Sequence, residues 1–230
     1  MISEPTGIRI LYTACLRGRI DLLPSLHTFL TTQRTERTIL VDLGQSCAVG
    51  SWICEVTGGR GMLVAMDALG YDGFHIGRAD ALYHYPEMVV KMKEIVMTPF
   101  IAGTWAGSAT RGGVKIGLYN AAALERVAIT LDPHTDLHLL LSLDRTAEMT
   151  ANLLQGERLV SLACLPTAPT TAPLIGQLDL ELLPNPPGIR VVNQRPLAIP
   201  PETPPHPTIS GVVEFVLSEA RQAEQKRGGA

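Results

Sequence analysis

The sequence is poor in the residue types that mark nucleic-acid and membrane binding. Aromatic residues make up 5% and charged residues 18% of the 230 residues. The net charge is −3 at pH 7 and gives no general attraction to nucleic acid or anionic membranes. So few aromatic side chains also leave little material for a base-stacking surface. No apolar run approaches the ~20 residues that a membrane-spanning helix needs. We therefore expect neither a nucleic-acid partner nor a membrane partner.

Cysteine is also scarce, with four residues: Cys15, Cys47, Cys54 and Cys164. None forms a C-x-x-C pair, and no histidine stands at ligand spacing from Cys47 or Cys54. A chain of this length with so few cysteines does not indicate a disulfide framework. The first residues, 1–5, lack the basic region of a signal peptide. We expect reduced thiols in a cytoplasmic protein.

What the sequence does contain is a large apolar fraction, 46% of the residues, arranged as alternating strands and helices. Strands are predicted at Ile8–Thr13, Thr38–Asp42 and Gly73–Gly77 from their short apolar runs. Helices are predicted between them, at Leu22–Leu30 and Met62–Gly70. This β-α-β-α-β order favours parallel strands joined by right-handed crossovers. We expect a single domain over residues 1–230.

The rest of the chain adds further strands and then changes character. Residues 184–207 contain nine prolines, which predicts a surface segment without regular structure apart from a strand at Ile189–Val192. An amphipathic helix is predicted over residues 209–225. The other predicted elements are helices at Tyr83–Val96 and Arg145–Leu154, and strands at Pro99–Ala102, Val114–Tyr119, Leu137–Ser142, Arg158–Ala163 and Leu174–Leu182.

Three strand-to-loop junctions, Tyr12–Gly18, Val41–Ser46 and His75–Asp80, carry a recognisable pattern. They resemble the calcineurin-like metallophosphatase and 5′-nucleotidase family, which has T-N-D-x-H-G, D-x-G-D-S and G-N-H-E at these places. Met66–Asp72 resembles the helix end that precedes the third motif in the 5′-nucleotidase branch. Further matches follow in the family's order: Gly113–Gly117, Leu140–Leu143 and Ile175–Leu180. The resemblance therefore extends over nearly the whole chain.

The resemblance implies an α/β fold, a four-layer α/β/β/α sandwich of mixed β-sheets flanked by helices. It also implies that the metal-ligand motifs are degenerate. In the family, carboxylate, imidazole and amide ligands at the strand ends hold two metal ions, and a bridging hydroxide attacks phosphorus. The corresponding positions here hold other residue types: Cys15, Arg17, Gln45, Arg78, Ala79, Leu143 and Cys164.

These replacements remove the charge that a dinuclear metal site requires. Gln45 is neutral where the family has its bridging aspartate, and Arg17 and Arg78 add two permanent positive charges. Like unit charges ~4 Å apart repel by about 4 kcal/mol at an effective dielectric constant of 20, and a dication raises that cost. We therefore expect no metal and no other cofactor. Asp80 alone keeps a carboxylate in the third loop, where the family has glutamate.

The same residues are candidates for a different site. Arginine side chains bind phosphate and carboxylate groups bidentately, so an anionic small molecule is one expected partner and a protein is the other. The candidate ligand-binding residues are Arg17, Arg19, Gln45, Arg78, Asp80 and Cys164. The alternative interpretation is that Arg17 pairs with Asp80, or that the arginines only reach solvent.

Two catalytic hypotheses also follow from the pattern. In one, Cys15 or Asp80 is the reactive group of an enzyme that needs no metal, although buried inert thiols are the commoner outcome. In the other, the protein is a weak phosphoesterase with an altered ligand set. The glycine-rich stretch Gly58–Gly61 is not a P-loop because no G-K-[ST] follows it, and no G-x-S-x-G motif is present. We rank a non-catalytic binding or assembly role first.

Overall fold

The computed structural model describes residues 5–77, 80–121, 131–143, 152–154, 158–163, 173–184 and 186–228. The strands are β1 Thr6–Ala14, β2 Thr38–Asp42, β3 Gly73–His75, β4 Phe100–Ile101, β5 Gly107–Arg111, β6 Val114–Asn120, β7 Leu137–Ser142, β8 Asn152–Leu154, β9 Leu159–Ala163, β10 Leu174–Pro184 and β11 Pro187–Leu197. The helices are α1 Leu23–Gln33, α2 Trp52–Thr57, α3 Arg60–Asp67, α4 Pro86–Met92 and α5 Pro207–Gly228, with short 3₁₀ helices at Ile20–Leu22 and Ala81–His84.

The strands form two sheets that pack face to face. The first sheet has the order β11-β10-β1-β2-β3-β4, and the second has the order β5-β6-β7-β9-β8. Strands β1 to β4 run parallel, and β10 and β11 are antiparallel additions beside β1. In the second sheet β6, β7 and β9 are parallel, with antiparallel strands at both edges. The predicted mixed sheets are confirmed.

Apolar side chains fill the space between the sheets and the space under the helices. Ile10, Val41 and Leu139 lie between the two sheets. Leu11 and Leu40, whose side chains point to the opposite face of the first sheet, pack against the helices. Strand β2 is buried along its whole length, which is why its sequence is an unbroken apolar run. A small third cluster lies on the outer face of the second sheet. Residues 145–151 of the helix predicted at Arg145–Leu154 lie outside the described residues.

The C-terminal helix α5 covers the helical side of the first sheet. Its buried residues, Ile209, Val213, Val216 and Ala220, recur at helical spacing and join the cluster formed with α1 and α3. A side-chain carbon added at Gly61 of α3 would lie 2.7 Å from Val216 Cγ1, so glycine permits this close approach. The predicted terminal helix is confirmed and is longer than expected. Among the described residues, none of the helices has the length and apolar character required to cross a bilayer.

Two secondary-structure predictions are wrong. Residues 187–197 form strand β11, paired antiparallel with β10, whereas the nine prolines predicted an irregular segment with only a short strand. The strand tolerates Pro187 and Pro196 because it lies at the edge of the sheet, where an outward-facing backbone N–H has no ladder partner to lose. The C-terminal residues of the helix predicted at Arg145–Leu154 are also in a strand, since Asn152–Leu154 pairs with β9.

Candidate functional site

The loops that follow β1 and β2 meet at one edge of the first sheet, because parallel strands end on the same side. Backbone hydrogen bonds of 2.7–3.0 Å join the two loops residue by residue. They run from Leu43 N to Thr13 O, from Cys15 N to Gly44 O, from Arg17 N to Gln45 O, and from Gly18 N to Ser46 O. The two loops are therefore one structural unit, and the residues on them have fixed positions relative to each other.

Three non-glycine residues of this unit have left-handed backbone conformations. The φ angles are 57° at Cys15, 53° at Arg17 and 59° at Gln45. A non-glycine residue in this region costs of order 1–3 kcal/mol, and such residues cluster at functional sites. All three stand at positions that the sequence pattern assigns to metal ligands in the resembling family. Left-handed backbone conformations thus coincide with the three positions that the resemblance assigns to metal ligands on these loops.

A buried aspartate, Asp42, holds the loop unit together. Its carboxylate accepts hydrogen bonds from Thr13 Oγ1 at 2.8 Å, Gly44 N at 2.9 Å and Ser46 Oγ at 2.7 Å. The hydroxyl of Thr13 also lies 2.8 Å from that of Tyr71. Burial raises the pKa of Asp42 to about 6, although the three hydrogen bonds pull it down. The carboxylate is occupied by protein donors, so its role here is to position the loops.

Asp80 is a second buried carboxylate at the same edge, 2% exposed. It caps the 3₁₀ helix Ala81–His84, accepting a hydrogen bond from Leu82 N at 2.9 Å, and it also accepts from the backbone N–H groups of Ser46 and Cys47. Burial raises the pKa of Asp80 to about 7, the Leu82 amide opposes this, and the charge of Asp42 adds to it. The described carboxylates do not pair with Arg17, contrary to one of the interpretations of the sequence.

Cys15 lies in the interior of this edge, 2% exposed. Burial raises the pKa of its thiol above the ordinary value, and Asp42 adds to the rise, whereas Arg17 lies close enough to donate a hydrogen bond and opposes it. The net effect favours the neutral thiol over the nucleophilic thiolate. This environment is the opposite of that of an activated cysteine.

The remaining candidate residues differ in their placement. Arg17 and Gln45 are partly exposed, at the surface of the loop unit. Arg17 forms no ion pair with any carboxylate among the described residues. Arg19 is exposed, and its Nη2 lies 3.6 Å from Asp21 Oδ2. Arg78 and Cys164 lie outside the described residues, so their assignment to the site stays a prediction.

The sequence did not predict the hydrogen bonds made by the polar residues behind the loops. His75 is buried, with Nδ1 2.9 Å from the carbonyl oxygen of Leu43, to which it donates, and Nε2 3.4 Å from Asn120 Oδ1. These contacts join the end of β3 to the β2 loop and to the second sheet. The signal for Asp42 was present in the sequence, as an aspartate that ends an apolar strand two residues before a glycine.

No group of three or more histidine, cysteine, aspartate or glutamate side chains in the described part of the chain is arranged to hold a metal ion. Asp42 and Asp80 lie near each other, but their oxygens are used by backbone and hydroxyl donors. A dinuclear site needs several anionic and imidazole ligands converging on a small volume. The described side chains do not fit such a centre.

The expectation of reduced thiols is wrong for two of the cysteines. Cys47, just after the β2 loop, forms a disulfide with Cys54 in α2, and their Cα atoms are 5.6 Å apart. The sequence separation of seven gave no indication of pairing, because the pairing depends on α2 folding back over the loop. Disulfides are rare in reducing compartments. The predicted cytoplasmic location therefore loses one of its grounds and stays a prediction.

Comparison with solved structures identifies the architecture. Haemophilus influenzae NAD nucleotidase (NadN) superposes with a TM-score of 0.64 at 10% identity over 95% of this chain, and the calcineurin-like phosphoesterase YfkN from Bacillus subtilis with 0.60 at 12% identity over 97%. A 5′-nucleotidase precursor from Thermus thermophilus gives 0.60 at 10% identity over 96%. The chain has the calcineurin-like phosphoesterase fold.

The predicted fold class is thereby confirmed as an α/β sandwich of the phosphoesterase type. The match covers 61% of the NadN chain and 59% of the Thermus protein but 99% of the YfkN chain. The chain thus spans about three fifths of two of these relatives. No protein-family model matches the sequence, and no curated protein matches it. At 10–12% identity the likeness establishes the fold and leaves the chemistry of the site to the residues themselves.

Proposed function

We propose that this phosphoesterase-fold protein is a non-catalytic binding protein that recognises a phosphorylated or other anionic ligand at the edge formed by the β1 and β2 loops. The observation that carries the proposal is the state of Arg17. Its guanidinium lies at the loop surface beside the Cys15 thiol and has no carboxylate partner among the described residues. A guanidinium without a carboxylate partner in the described part of the chain, carried by a hydrogen-bonded loop, is suited to bidentate recognition of phosphate or carboxylate.

The organisation of the loops supports the proposal. The left-handed conformations at Arg17 and Gln45 and the hydrogen bonds between the loops fix where these side chains start. A site on ordered backbone loses less conformational entropy when it binds than a site on a mobile loop. Arg78, which follows β3 in sequence, is placed in the same site by the proposal and would add a second positive charge.

The chemistry of the neighbouring groups supports a binding role over catalysis. Asp42 and Asp80 are committed to loop donors, and the pKa of Cys15 is raised by burial. A hydrolytic centre of the phosphoesterase type needs metal ligands that the described residues do not supply. A weak phosphoesterase with an altered ligand set is the second candidate, because the fold it would use is present.

Substitution of Arg17 tests the proposed site. We expect Arg17→Ala to weaken the binding of inorganic phosphate by roughly 10- to 150-fold, the loss of one charge-assisted hydrogen-bonding group worth about 1.5–3 kcal/mol. The phosphate affinity of Arg17→Lys should lie between those of the unaltered protein and Arg17→Ala, because lysine keeps the positive charge but lacks the planar guanidinium. Isothermal titration calorimetry on protein freed of metal by chelation gives the affinities.

Arg221→Ala is the matched control, since Arg221 is an exposed arginine on α5 and its removal changes the net charge equally. Its phosphate affinity should equal that of the unaltered protein. Equal phosphate affinities for Arg17→Ala, Arg17→Lys and Arg221→Ala would remove Arg17 from the site. A smaller loss in Arg19→Ala would place that exposed residue at the margin of the site.

A further inference from the structure

The disulfide between Cys47 and Cys54 lies next to the proposed binding edge. Cys47 directly follows Ser46, whose hydroxyl donates to Asp42 and whose carbonyl accepts from Gly18 N. Cys54 belongs to α2, and both cysteines are buried, at 0% and 1% exposure. The disulfide is therefore a covalent tie between the end of the β2 loop and the helical layer.

The backbone of Cys47 also contributes to the assembly around Asp80. Its N–H donates to the Asp80 carboxylate, and its carbonyl oxygen accepts from Ala81 N at 2.8 Å. The third strand-end loop is thus attached to the second loop through the residue that carries the disulfide. The residue that carries the disulfide therefore contacts, through its backbone, two of the three loops.

The turn on the other side of Cys47 has few attachments apart from the disulfide. Val49 is 77% exposed, and Gly50 has a φ of 83°. The described backbone groups of this turn form three hydrogen bonds: Ser51 N donates to Ala48 O at 3.2 Å, Gly50 N donates to the Glu55 side chain at 2.9 Å, and Ser51 O accepts from Glu55 N at 3.0 Å. Segments with few buried contacts and exposed hydrogen bonds open at low free-energy cost.

One of the two disulfide cysteines lines a cavity. Cys54 forms part of the wall of a cavity of about 200 Å³ beside the exposed turn. The other lining residues are Val49, Glu55, Ala81, His84 and Tyr85. Cys47 is fully buried and is not among the residues that line this cavity. A thiol that enters from the cavity therefore meets Cys54 first.

We propose that the Cys47–Cys54 disulfide is a redox switch, reduced by a dithiol at Cys54, that controls the order of the β2 loop and, where the proposed function holds, the affinity of the binding edge. A thiolate of the dithiol attacks Cys54 Sγ and breaks the S–S bond, and the electron pair leaves on Cys47 Sγ, which takes up a proton. The second thiol of the dithiol then resolves the mixed disulfide and releases Cys54 as a thiol. Two electrons and two protons pass to the protein, and the dithiol becomes a disulfide.

Reduction removes the tie that holds residues 47–54 as a closed loop, so the turn opens more often and carries the Cys47 amide with it. Amide exchange in residues 46–55 should become at least tenfold faster, and the exchange of β6 and β7 should not change. The phosphate affinity should fall about tenfold in the same samples, because Gln45 and Arg17 lose a fixed position.

The experiment compares oxidised protein with protein treated with dithiothreitol under native conditions. Alkylation with mass measurement counts the released thiols, hydrogen–deuterium exchange reports loop order, and titration with inorganic phosphate reports affinity. Cys54→Ser, which cannot form the disulfide, should show the exchange rates of the reduced protein and should not respond to dithiothreitol. If that variant does not fold, the comparison of the oxidised and reduced unaltered protein decides the question.

The outcomes separate the switch from the proposed function. Two released thiols with faster loop exchange support the switch, whether or not phosphate binds. Faster exchange without phosphate binding in either state overturns the proposed function alone. Failure of dithiothreitol to reduce the disulfide natively, or unchanged loop exchange after reduction, overturns the switch and leaves the binding proposal standing.

Discussion

Replacing Gly44 with alanine is expected to destabilise the protein by about 3 kcal/mol or more, from backbone strain and steric overlap together. Gly44 has a φ of 108°, which L-residues rarely adopt. Its added Cβ would lie 2.9 Å from Leu143 Cδ1 and 3.0 Å from the carbonyl oxygen of His75. The leucine side chain can move, but the His75 backbone belongs to β3 and cannot shift without disturbing the sheet.

Gly50→Ala is the matched control for this substitution. Gly50 has a φ of 83°, but a Cβ added there meets nothing within 4 Å. Gly50→Ala should lower the free energy of unfolding by about 1 kcal/mol, because it introduces backbone strain without steric overlap. Urea unfolding measures both variants, with stability taken from the midpoint at unchanged m-value. Equal destabilisation by the two variants would contradict the described contact between the β2 loop and β3.

The second large effect is expected at Asp42. Asp42→Ala should destabilise the protein by about 2–4 kcal/mol, because it leaves the buried donors of Gly44, Ser46 and Thr13 without their acceptor. The relief of removing a buried charge offsets part of the loss, which is why the expected value is below the sum of three hydrogen bonds. Calorimetric or urea unfolding at pH 7 gives the difference.

Asp42→Asn separates the charge from the hydrogen bonds, because the amide oxygen keeps acceptor capacity. Burial raises the pKa of folded Asp42 to about 6, above the ordinary 3.8. The part of the stability that depends on protonation of Asp42 is therefore fully present below pH ~4 and is lost as the pH rises through about 6, whereas the hydrogen bonds to the loop donors remain. The difference in stability between the unaltered protein and Asp42→Asn should change over that window and be constant above it. A difference that is flat from pH 4 to 8 would contradict the buried, charged role of Asp42.

Parts of the fold that depend on local pattern could be predicted from the sequence. Strand β2 reads as an apolar run because both its faces are covered, and α5 has its apolar residues at helical spacing. Only Ile189–Val192 of strand β11 was predicted, because the full length of the strand depends on its pairing with β10. A high proline content argues against a helix or a central strand, but it is compatible with a strand at the edge of a sheet.

The candidate site also has features that the sequence predicts and features that depend on tertiary structure. The meeting of the loops after β1 and β2 was predictable from parallel strand order, and the structure places Cys15, Arg17 and Gln45 on neighbouring loops. Their left-handed conformations were not predictable, because these residue types do not signal positive φ. The disulfide was not predictable either, because it depends on how α2 folds back toward Cys47.

Metal binding measured together with phosphate binding tests the central claim most directly. Protein treated with a chelator is dialysed against manganese or zinc, bound metal is counted by atomic emission, and hydrolysis of p-nitrophenyl phosphate is followed in the same samples. We predict no stoichiometric metal at the strand ends, no metal-dependent hydrolysis, and phosphate binding that the chelator does not change. Two bound metal ions per chain with hydrolysis that chelation abolishes would contradict the account.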